Sequence, residues 1–203
     1  MNLYNYNNAL SKEFLNLLPA RKGHFRFESG HHGNLWLDLD LLFLRPSIIK
    51  PFIVGLAKEI NIYNVAAVCG PLVGGALIAQ TIASELDLEF FYSERIVSRN
   101  SNGLYATKYR IPSHVSRALK GKKVAIVDDV INAGSAVLGT LTEVQAYGAS
   151  PLVIGALLIM GETAQGLFAE KNLPLKSISF LPNKLWVPEE CPLCASQTPL
   201  EIF

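Results

Sequence analysis

Apolar residues in the middle of the chain form short uninterrupted runs, separated by segments with helical periodicity. The clearest runs are residues 65–69, 123–127 and 151–160. Strands that are apolar throughout are buried on both faces, which is typical of a parallel sheet between helices. The same pattern predicts further strands at 88–93 and 175–181, and helices at 46–59, 76–86 and 135–147. We therefore expect an α/β fold with a doubly wound, mainly parallel sheet of about five strands.

The two ends of the chain have a different pattern. Residues 1–44 contain leucines and Phe14 at helical spacing, followed by two alternating stretches around a Gly-rich turn, which predicts a helix and a half-buried hairpin. Residues 182–203 form a Pro-rich tail, which we expect to pack through Trp186, Leu193 and Ile202. We expect residues 45–181 to form the core and both ends of the chain to pack against it, in one compact domain.

The amino-acid composition excludes several classes of protein. The chain has 203 residues, of which 50% are hydrophobic, and a net charge of +1. These values exclude a disordered chain, and they provide no basic excess for binding DNA. The longest apolar run, 151–160, is shorter than the roughly 20 residues that a bilayer requires. Three cysteines and the lack of a signal-peptide pattern at the start predict a cytosolic protein that contacts no membrane.

The first candidate site follows the strand at 123–127. Asp128 and Asp129 come next, and then the small-residue turn from Asn132 to Ser135 leads into a helix. A turn of this kind at a helix N-terminus suits a phosphate group, and adjacent carboxylates can accept hydrogen bonds from vicinal hydroxyls. The pieces together predict a ribose 5-phosphate site. The alternative interpretation is a helix-capping turn, which would not require two adjacent acids.

A second loop lies one strand–helix unit earlier. Gly70 and Pro71 end one strand, and Gly74 and Gly75 begin a helix. Glycines allow backbone to approach a ligand closely, although such a loop can also be a plain tight turn. Its position before the acidic loop favours the ligand-binding interpretation.

These two loops resemble those of a known family. DDVINAGSA at 128–136 resembles the 5-phosphoribosyl 1-diphosphate (PRPP) signature of type I phosphoribosyltransferases, and CGPLVGGALIA resembles their pyrophosphate loop. The resemblance implies that Asp128 and Asp129 hold the ribose hydroxyls, directly or through Mg²⁺. It also implies two phosphate-binding sets: Asn132, Ala133, Gly134 and Ser135 for the 5-phosphate, and Pro71, Leu72, Val73 and Gly74 for pyrophosphate.

Other segments resemble the orotate phosphoribosyltransferase branch. FRFESG at 25–30 is similar to its hood over the base, residues 95–112 to its mobile catalytic loop, and WVPEECPLC to the tail of some bacterial members. The resemblance implies transfer of a phosphoribosyl group from PRPP to orotate in pyrimidine biosynthesis by a homodimer. It implies a base site formed by Phe25, Phe27, Ser29, Gly30 and His31, and catalytic charge from Arg95, Arg99, Lys108 and Arg110.

Two departures keep the identity of the base open. Met160 or Gly161 stands where the branch usually has an arginine for the carboxylate of orotate, and the loop lacks the usual pattern of lysines and histidine. One alternative is a phosphoribosyltransferase for another base, such as a purine or a small carboxylated heterocycle. Another is a non-catalytic PRPP sensor with the same fold. A dinucleotide-binding protein is disfavoured because no G-x-G-x-x-G follows the first strand.

The tail contains a pair of cysteines, Cys191 and Cys194, which is half of a zinc-binding motif. The remaining ligands would come from His24, His31, His32, His114 or a partner subunit. The alternative is a pair of exposed thiols in a turn. Likewise, the pair His31–His32 is either a polar hairpin tip or part of the base site.

Overall fold

The computed structural model describes residues 8–96 and 103–202. Its strands are β1 Ala20–Arg26, β2 His32–Leu37, β3 Ala67–Pro71, β4 Glu89–Ile96, β5 Lys108–Arg110, β6 Lys123–Ile131, β7 Ser150–Met160, β8 Leu175–Leu181 and β9 Glu201–Ile202. Its α-helices are α1 Ala9–Leu17, α2 Asp40–Phe43, α3 Pro46–Asn61, α4 Gly74–Leu86, α5 Ser113–Ser116, α6 Ser135–Ala146, α7 Thr163–Ala169 and α8 Pro192–Ala195. Within these described ranges, no helix has the length and apolar character needed to cross a membrane.

The central sheet has the strand order β5-β4-β3-β6-β7-β8. Its last five strands in this order pair in parallel, and β5 adds an antiparallel edge. The predicted α/β class and mainly parallel sheet are confirmed. The sheet has six strands because β5, within the segment 95–112 that was expected to be a mobile loop, pairs with the end of β4.

Apolar side chains cover both faces of this sheet, as a doubly wound fold requires. On one face, Phe52 and Leu56 of α3 pack with Ile78 of α4. On the other face, Leu141 of α6 packs with Phe168 of α7. The strands contribute alternate residues to the two clusters, and this explains why their sequences are apolar without interruption.

Strand β6 is longer than its apolar run predicts. We expected it to end at Val127, but it continues through both acidic residues to Ile131. The neighbouring strand β7 supplies the reason: it pairs with β6 as far as Ile159, so the acidic residues keep a backbone partner. Asp128 and Asp129 are therefore held in the sheet rather than in a turn.

A second, smaller sheet has the order β2-β1-β9, and we call it the hood sheet. The hairpin β1–β2 is antiparallel, and β9 from the tail adds in parallel to β1. The tail also pairs with the hairpin between His32 and Trp186. The tail packs as predicted in general, but Ile202 is 66% exposed and Cys191 is buried instead. β9 is a two-residue strand at the edge of the hood sheet, so the Ile202 side chain remains largely exposed.

Candidate active site

The small-residue turn between β6 and α6 forms a cradle at the carboxyl end of the sheet. Gly134 has a φ of +86°, which glycine adopts without strain, and α6 begins at the next residue. The first N–H groups of a helix have no partner within it, so they favour an anion. The side-chain amide nitrogen of Asn132 is buried without a hydrogen-bond partner. The cradle therefore offers donors that an anionic ligand would satisfy.

The two acidic side chains lie directly before this cradle. Asp128 accepts a hydrogen bond of 3.0 Å from the backbone N–H of Asp129, and Asp129 accepts one of 2.7 Å from Val130. Burial raises the pKa of both carboxyl groups, and the neighbouring charge of Asp129 further raises the pKa of Asp128. Two buried, adjacent carboxylates of this kind are stabilised by hydroxyl donors or by a cation.

The loop between β3 and α4 packs tightly against the acidic residues. A Cβ atom on Gly75 would lie 2.7 Å from Oδ1 of Asp128, and one on Gly74 would overlap the carboxylate of Asp129. A Cβ on Gly70 would overlap the backbone carbonyl of Gly75. Gly74 and Gly75 are therefore required because two loops from neighbouring strands meet here, and Gly70 because the two ends of its own loop lie in contact. The peptide bond between Leu72 and Val73 is cis.

A cavity of about 300 Å³ lies between this edge of the central sheet and the hood sheet. The rings of Phe27 and Trp36 stack 6.0 Å apart in its hood wall. The cavity is lined by Phe27, Glu28, Ser29, Leu35, Trp36, Leu37, Asp38, Leu39, Asp40, Asp128, Asp129, Val130, Asn132, Ala133, Gly134, Ser135, Ala136 and Met160. Phosphate cradle, acidic pair and hood thus share one cavity.

The predicted base-site residues occupy different places. Phe27 and Ser29 line the cavity, whereas Phe25 is fully buried in the hood sheet against the ring of Trp36. Gly30 has a φ of +84° and forms the turn. Nδ1 of His31 lies 3.1 Å from Oγ of Ser29, and burial lowers the pKa of His31. Phe25 and His31 thus support the cavity wall rather than face it.

Glu28 is a site residue that the sequence analysis missed. Its carboxylate accepts hydrogen bonds from the Tyr109 hydroxyl at 2.9 and 3.1 Å and from Oγ of Ser135 at 3.1 Å. It also forms an ion pair with Nε of Arg95 at 3.4 Å. Burial raises the pKa of the Tyr109 phenol, and the negative charge of Glu28 adds to that effect. The sequence contains one signal for Glu28, because this acidic residue directly follows the alternating apolar residues Phe25 and Phe27.

The structure separates the predicted catalytic cations. Arg95 pairs in register with Tyr109 across β4 and β5, and both side chains contact Glu28. Lys108 and Arg110 flank Tyr109, so their side chains point to the opposite face of this ribbon. Arg110 there forms an ion pair of 3.1 Å with Glu94. Arg99 lies outside the described residues.

Tyr105 connects the hood to the phosphate cradle. Its backbone N–H donates to the carbonyl of Ser29 at 2.9 Å, and its hydroxyl donates to the carbonyl of Ala133 at 3.2 Å. Its ring contacts His31 edge-on, with centroids 5.5 Å apart. Ile96 still belongs to β4 and Lys108–Arg110 form β5, so strands occupy part of the predicted catalytic loop at 95–112, and residues 97–102 lie outside the described residues.

Comparison with known proteins places this chain in a family. Residues 48–188 match the model of the phosphoribosyl transferase domain. The orotate phosphoribosyltransferase of Thermotoga maritima is 30% identical over 94% of this chain and 95% of its own length. That of Caldanaerobacter subterraneus is 29% identical, over 92% of this chain and 91% of its own length.

Solved structures support the same fold. Orotate phosphoribosyltransferase from Aeropyrum pernix superposes with a TM-score of 0.60 at 22% identity, covering 84% of this chain and 91% of that one. Adenine phosphoribosyltransferase from Thermoanaerobacter pseudethanolicus gives 0.65 at 17% identity, covering 84% and 99%. The chain therefore belongs to the type I phosphoribosyltransferases, enzymes that transfer a pentosyl group, and groups with their orotate phosphoribosyltransferase branch.

Proposed function

We propose that this enzyme transfers the 5-phosphoribosyl group from PRPP to orotate, forming orotidine 5'-monophosphate and pyrophosphate. The observation that carries the proposal is the shared cavity, in which an acidic pair and a phosphate cradle face an aromatic hood wall. The names of the relatives that match almost the whole chain support orotate as the base.

The phosphate cradle binds the 5-phosphate in this proposal. Asn132, Ala133, Gly134 and Ser135 surround it, and the buried amide of Asn132 gains an acceptor. Asp128 and Asp129 accept hydrogen bonds from the 2- and 3-hydroxyls of the ribose. Binding these groups fixes the C1 atom below the hood, and positioning of this kind is a large part of catalysis.

The reaction itself is a displacement at C1 of the ribose. A ring nitrogen of the base loses its proton and forms the new bond to C1 as the bond from C1 to the pyrophosphate oxygen breaks, with inversion. The departing pyrophosphate takes up that proton. The leaving group departs with the electron pair and is received by the loop of Pro71, Leu72, Val73 and Gly74. The hood with Phe27 and Ser29 covers the base and excludes water, which would otherwise hydrolyse PRPP.

The residues of the cavity fit a magnesium cofactor. Asp38, Asp40, Asp128 and Asp129 all line it, and carboxylate oxygens are the donors that Mg²⁺ prefers. Asp128 and Asp129 would hold the ion directly or through the ribose hydroxyls. When bound, Mg²⁺ supplies positive charge that stabilises the leaving pyrophosphate. The raised pKa of the buried acidic pair agrees with a site that requires a cation.

One observation favours a different base as the second candidate. Met160 lines the cavity where the branch usually has arginine, and no lysine or arginine occurs among the lining residues that the structure describes. A carboxylate on the base would therefore lack a bidentate partner. A purine, or another base without a carboxylate, would not need one.

The test is pyrophosphate release from PRPP and Mg²⁺ with a panel of bases, beginning with orotate. The control is the double variant Asp128→Asn/Asp129→Asn. Release with orotate that the control abolishes supports the proposal. Release only with another base would establish the second candidate. PRPP binding without release on any base would instead identify a PRPP sensor.

We also propose that the enzyme acts as a homodimer in the cytosol. Large apolar side chains are exposed along α2 and the start of α3, with Leu41 at 53%, Leu44 at 76% and Ile48 at 40% exposure. Exposed apolar residues near each other are typical of interfaces between copies. Light scattering at two protein concentrations would measure the molar mass, and a monomer at both would contradict this proposal.

A further inference from the structure

Four side chains converge where the tail meets the hood sheet, outside the cavity described above. His24 lies in β1, His32 begins β2, and Cys191 and Cys194 come from the tail. One ligand atom of each lies within 4.8 Å of those of the other three. Three of the four residues are buried, and neither cysteine forms a disulfide. We call these four residues the hood–tail cluster.

The distances within the cluster are those of a tetrahedral metal site. Nε2 of His24 lies 3.1 Å from Nδ1 of His32, 3.4 Å from Sγ of Cys191 and 3.7 Å from Sγ of Cys194. Nδ1 of His32 lies 3.2 Å from Sγ of Cys194. Zinc bonds of about 2.05 Å to nitrogen and about 2.3 Å to sulfur separate two nitrogens by about 3.3 Å, and nitrogen from sulfur by about 3.6 Å.

Hydrogen bonding alone does not account for the arrangement around His24. Its Nε2 atom has three close polar neighbours, yet a ring nitrogen carries either one proton or one lone pair. Its other nitrogen, Nδ1, lies 2.8 Å from the carbonyl of Thr198, to which it donates a proton. That bond leaves a lone pair on Nε2 directed at the cluster. A backbone carbonyl commonly orients a metal-bound histidine in this way.

We propose that the hood–tail cluster binds one structural zinc ion through His24, His32, Cys191 and Cys194. Mixed imidazole and thiolate donors in a tetrahedron suit zinc, and four protein ligands leave no open position for catalysis. The predicted candidates His31 and His114 are not needed, because His31 contacts Ser29 and His114 lies in α5. The cysteines are also not a pair of exposed thiols, since Cys191 is only 3% exposed.

The position of the ion gives it a role in the architecture of the active site. His24 and His32 bracket the turn whose residues Phe27, Glu28 and Ser29 line the cavity. Among the described residues, the backbone of the tail pairs with the hood sheet in the two-residue strand β9 and in the bridge between His32 and Trp186. A zinc ion would close a chain segment of roughly 160 residues and hold the hood turn at both ends, which strongly limits its motion.

The first test is the metal content of the full-length protein after purification without added metal and extensive dialysis. We expect about one zinc per chain by plasma mass spectrometry. The variants Cys194→Ser and His24→Ala should bind zinc at least about 100-fold more weakly, because even the loss of an outer-sphere partner costs 10- to 100-fold. The matched control is Cys69→Ser, which removes the cysteine buried in β3 and should retain the metal.

A second test uses the unmodified chain, so that it does not depend on a variant folding. Removing zinc with a chelator should lower the melting temperature by at least about 5 °C, and added zinc should restore it. Cobalt added in place of zinc should produce the visible absorption of a tetrahedral site with thiolate ligands. A dialysed protein with no zinc and no response to added zinc or cobalt would overturn the proposal. A Cys191–Cys194 disulfide in the purified protein would overturn it as well.

Discussion

The two halves of the active site are built in opposite ways. The phosphate-binding half takes its acidic pair, its turn and its helix N-terminus from β6 and the start of α6, a continuous segment of the chain. The hood half combines the turn of the hairpin β1–β2 with Tyr105 and with a tail that returns from the far end of the chain. The first half is defined by local sequence, whereas the second depends on contacts between residues that are remote in sequence.

This difference predicts how amino-acid substitutions in each half act on the site. Substitutions in the phosphate-binding half act directly on charge and volume around the ligand, because its side chains touch one another. Substitutions in the hood half act through the position of the turn above the cavity. The predictions below test that division, and they run from the largest expected effect to the smallest.

Removing the charge of the acidic pair should affect activity most strongly. We expect Asp128→Asn/Asp129→Asn to lower kcat/KM for PRPP on the order of 10³-fold, because preorganised charge at the reacting group is lost. Steady-state rates of pyrophosphate release measure this change in kcat/KM. Asp87→Asn is the control, since Asp87 caps α4 in the left-handed conformation that asparagine also adopts. A double variant within tenfold of the parent would mean that the acidic pair does not bind the ribose.

Adding one methyl group at Gly70 should disturb the close packing within the loop between β3 and α4. In Gly70→Ala the new Cβ would overlap the backbone of Gly75, so we expect a loss of about 1–3 kcal/mol in the free energy of unfolding. Urea titration measures the loss. Gly166→Ala is the matched control, because a Cβ there meets nothing within 4 Å. Equal stability of the two variants would show that the loop between β3 and α4 does not require this close packing.

Neutralising Glu28 should strengthen PRPP binding. Its carboxylate contacts Ser135 of the phosphate cradle, so it repels an incoming phosphate. Removing one such charge in a solvated site is worth about 1 kcal/mol, and we expect Glu28→Gln to lower the Kd for PRPP about three- to tenfold. Calorimetry at low and high salt measures the change, which should shrink with salt.

The control for Glu28 is Glu94→Gln, which removes an exposed carboxylate paired with Arg110. Its effect on PRPP binding should be less than twofold. Weaker binding by Glu28→Gln would show instead that the carboxylate holds the ligand through Arg95 or Ser135.

The smallest expected effect is on the free energy of unfolding, in the variant Asp128→Asn. Burial and Asp129 raise the pKa of Asp128 above its ordinary value of 3.8, so the folded state binds its proton more tightly than the unfolded state. Ionised Asp128 therefore opposes folding at neutral pH, and we expect Asp128→Asn to stabilise the ligand-free enzyme on the order of 1 kcal/mol. The gain should fade as the pH falls and disappear well below 3.8, where the carboxyl is protonated in both states. Melting curves of both proteins across this range measure it, and a gain that is independent of pH would contradict the explanation.

The sequence by itself determined the fold class and the phosphate-binding half of the site. Uninterrupted apolar runs require burial on both faces, which few arrangements other than a parallel sheet provide. The acidic pair, the small-residue turn and the helix are consecutive, so their spacing already specifies how they meet. Even there, the extension of β6 to Ile131 depended on a neighbouring strand long enough to pair with it.

Only the tertiary structure determined the edge strand β5, the directions of the charged side chains and the hood–tail cluster. Strand β5 exists because it pairs with β4, and that pairing directs Arg95 towards Glu28 while Lys108 and Arg110 point away. The approach of His24 to Cys191 joins residues 167 positions apart. No local sequence pattern indicates such contacts, because they form only when two folded elements that are remote in sequence pack against each other.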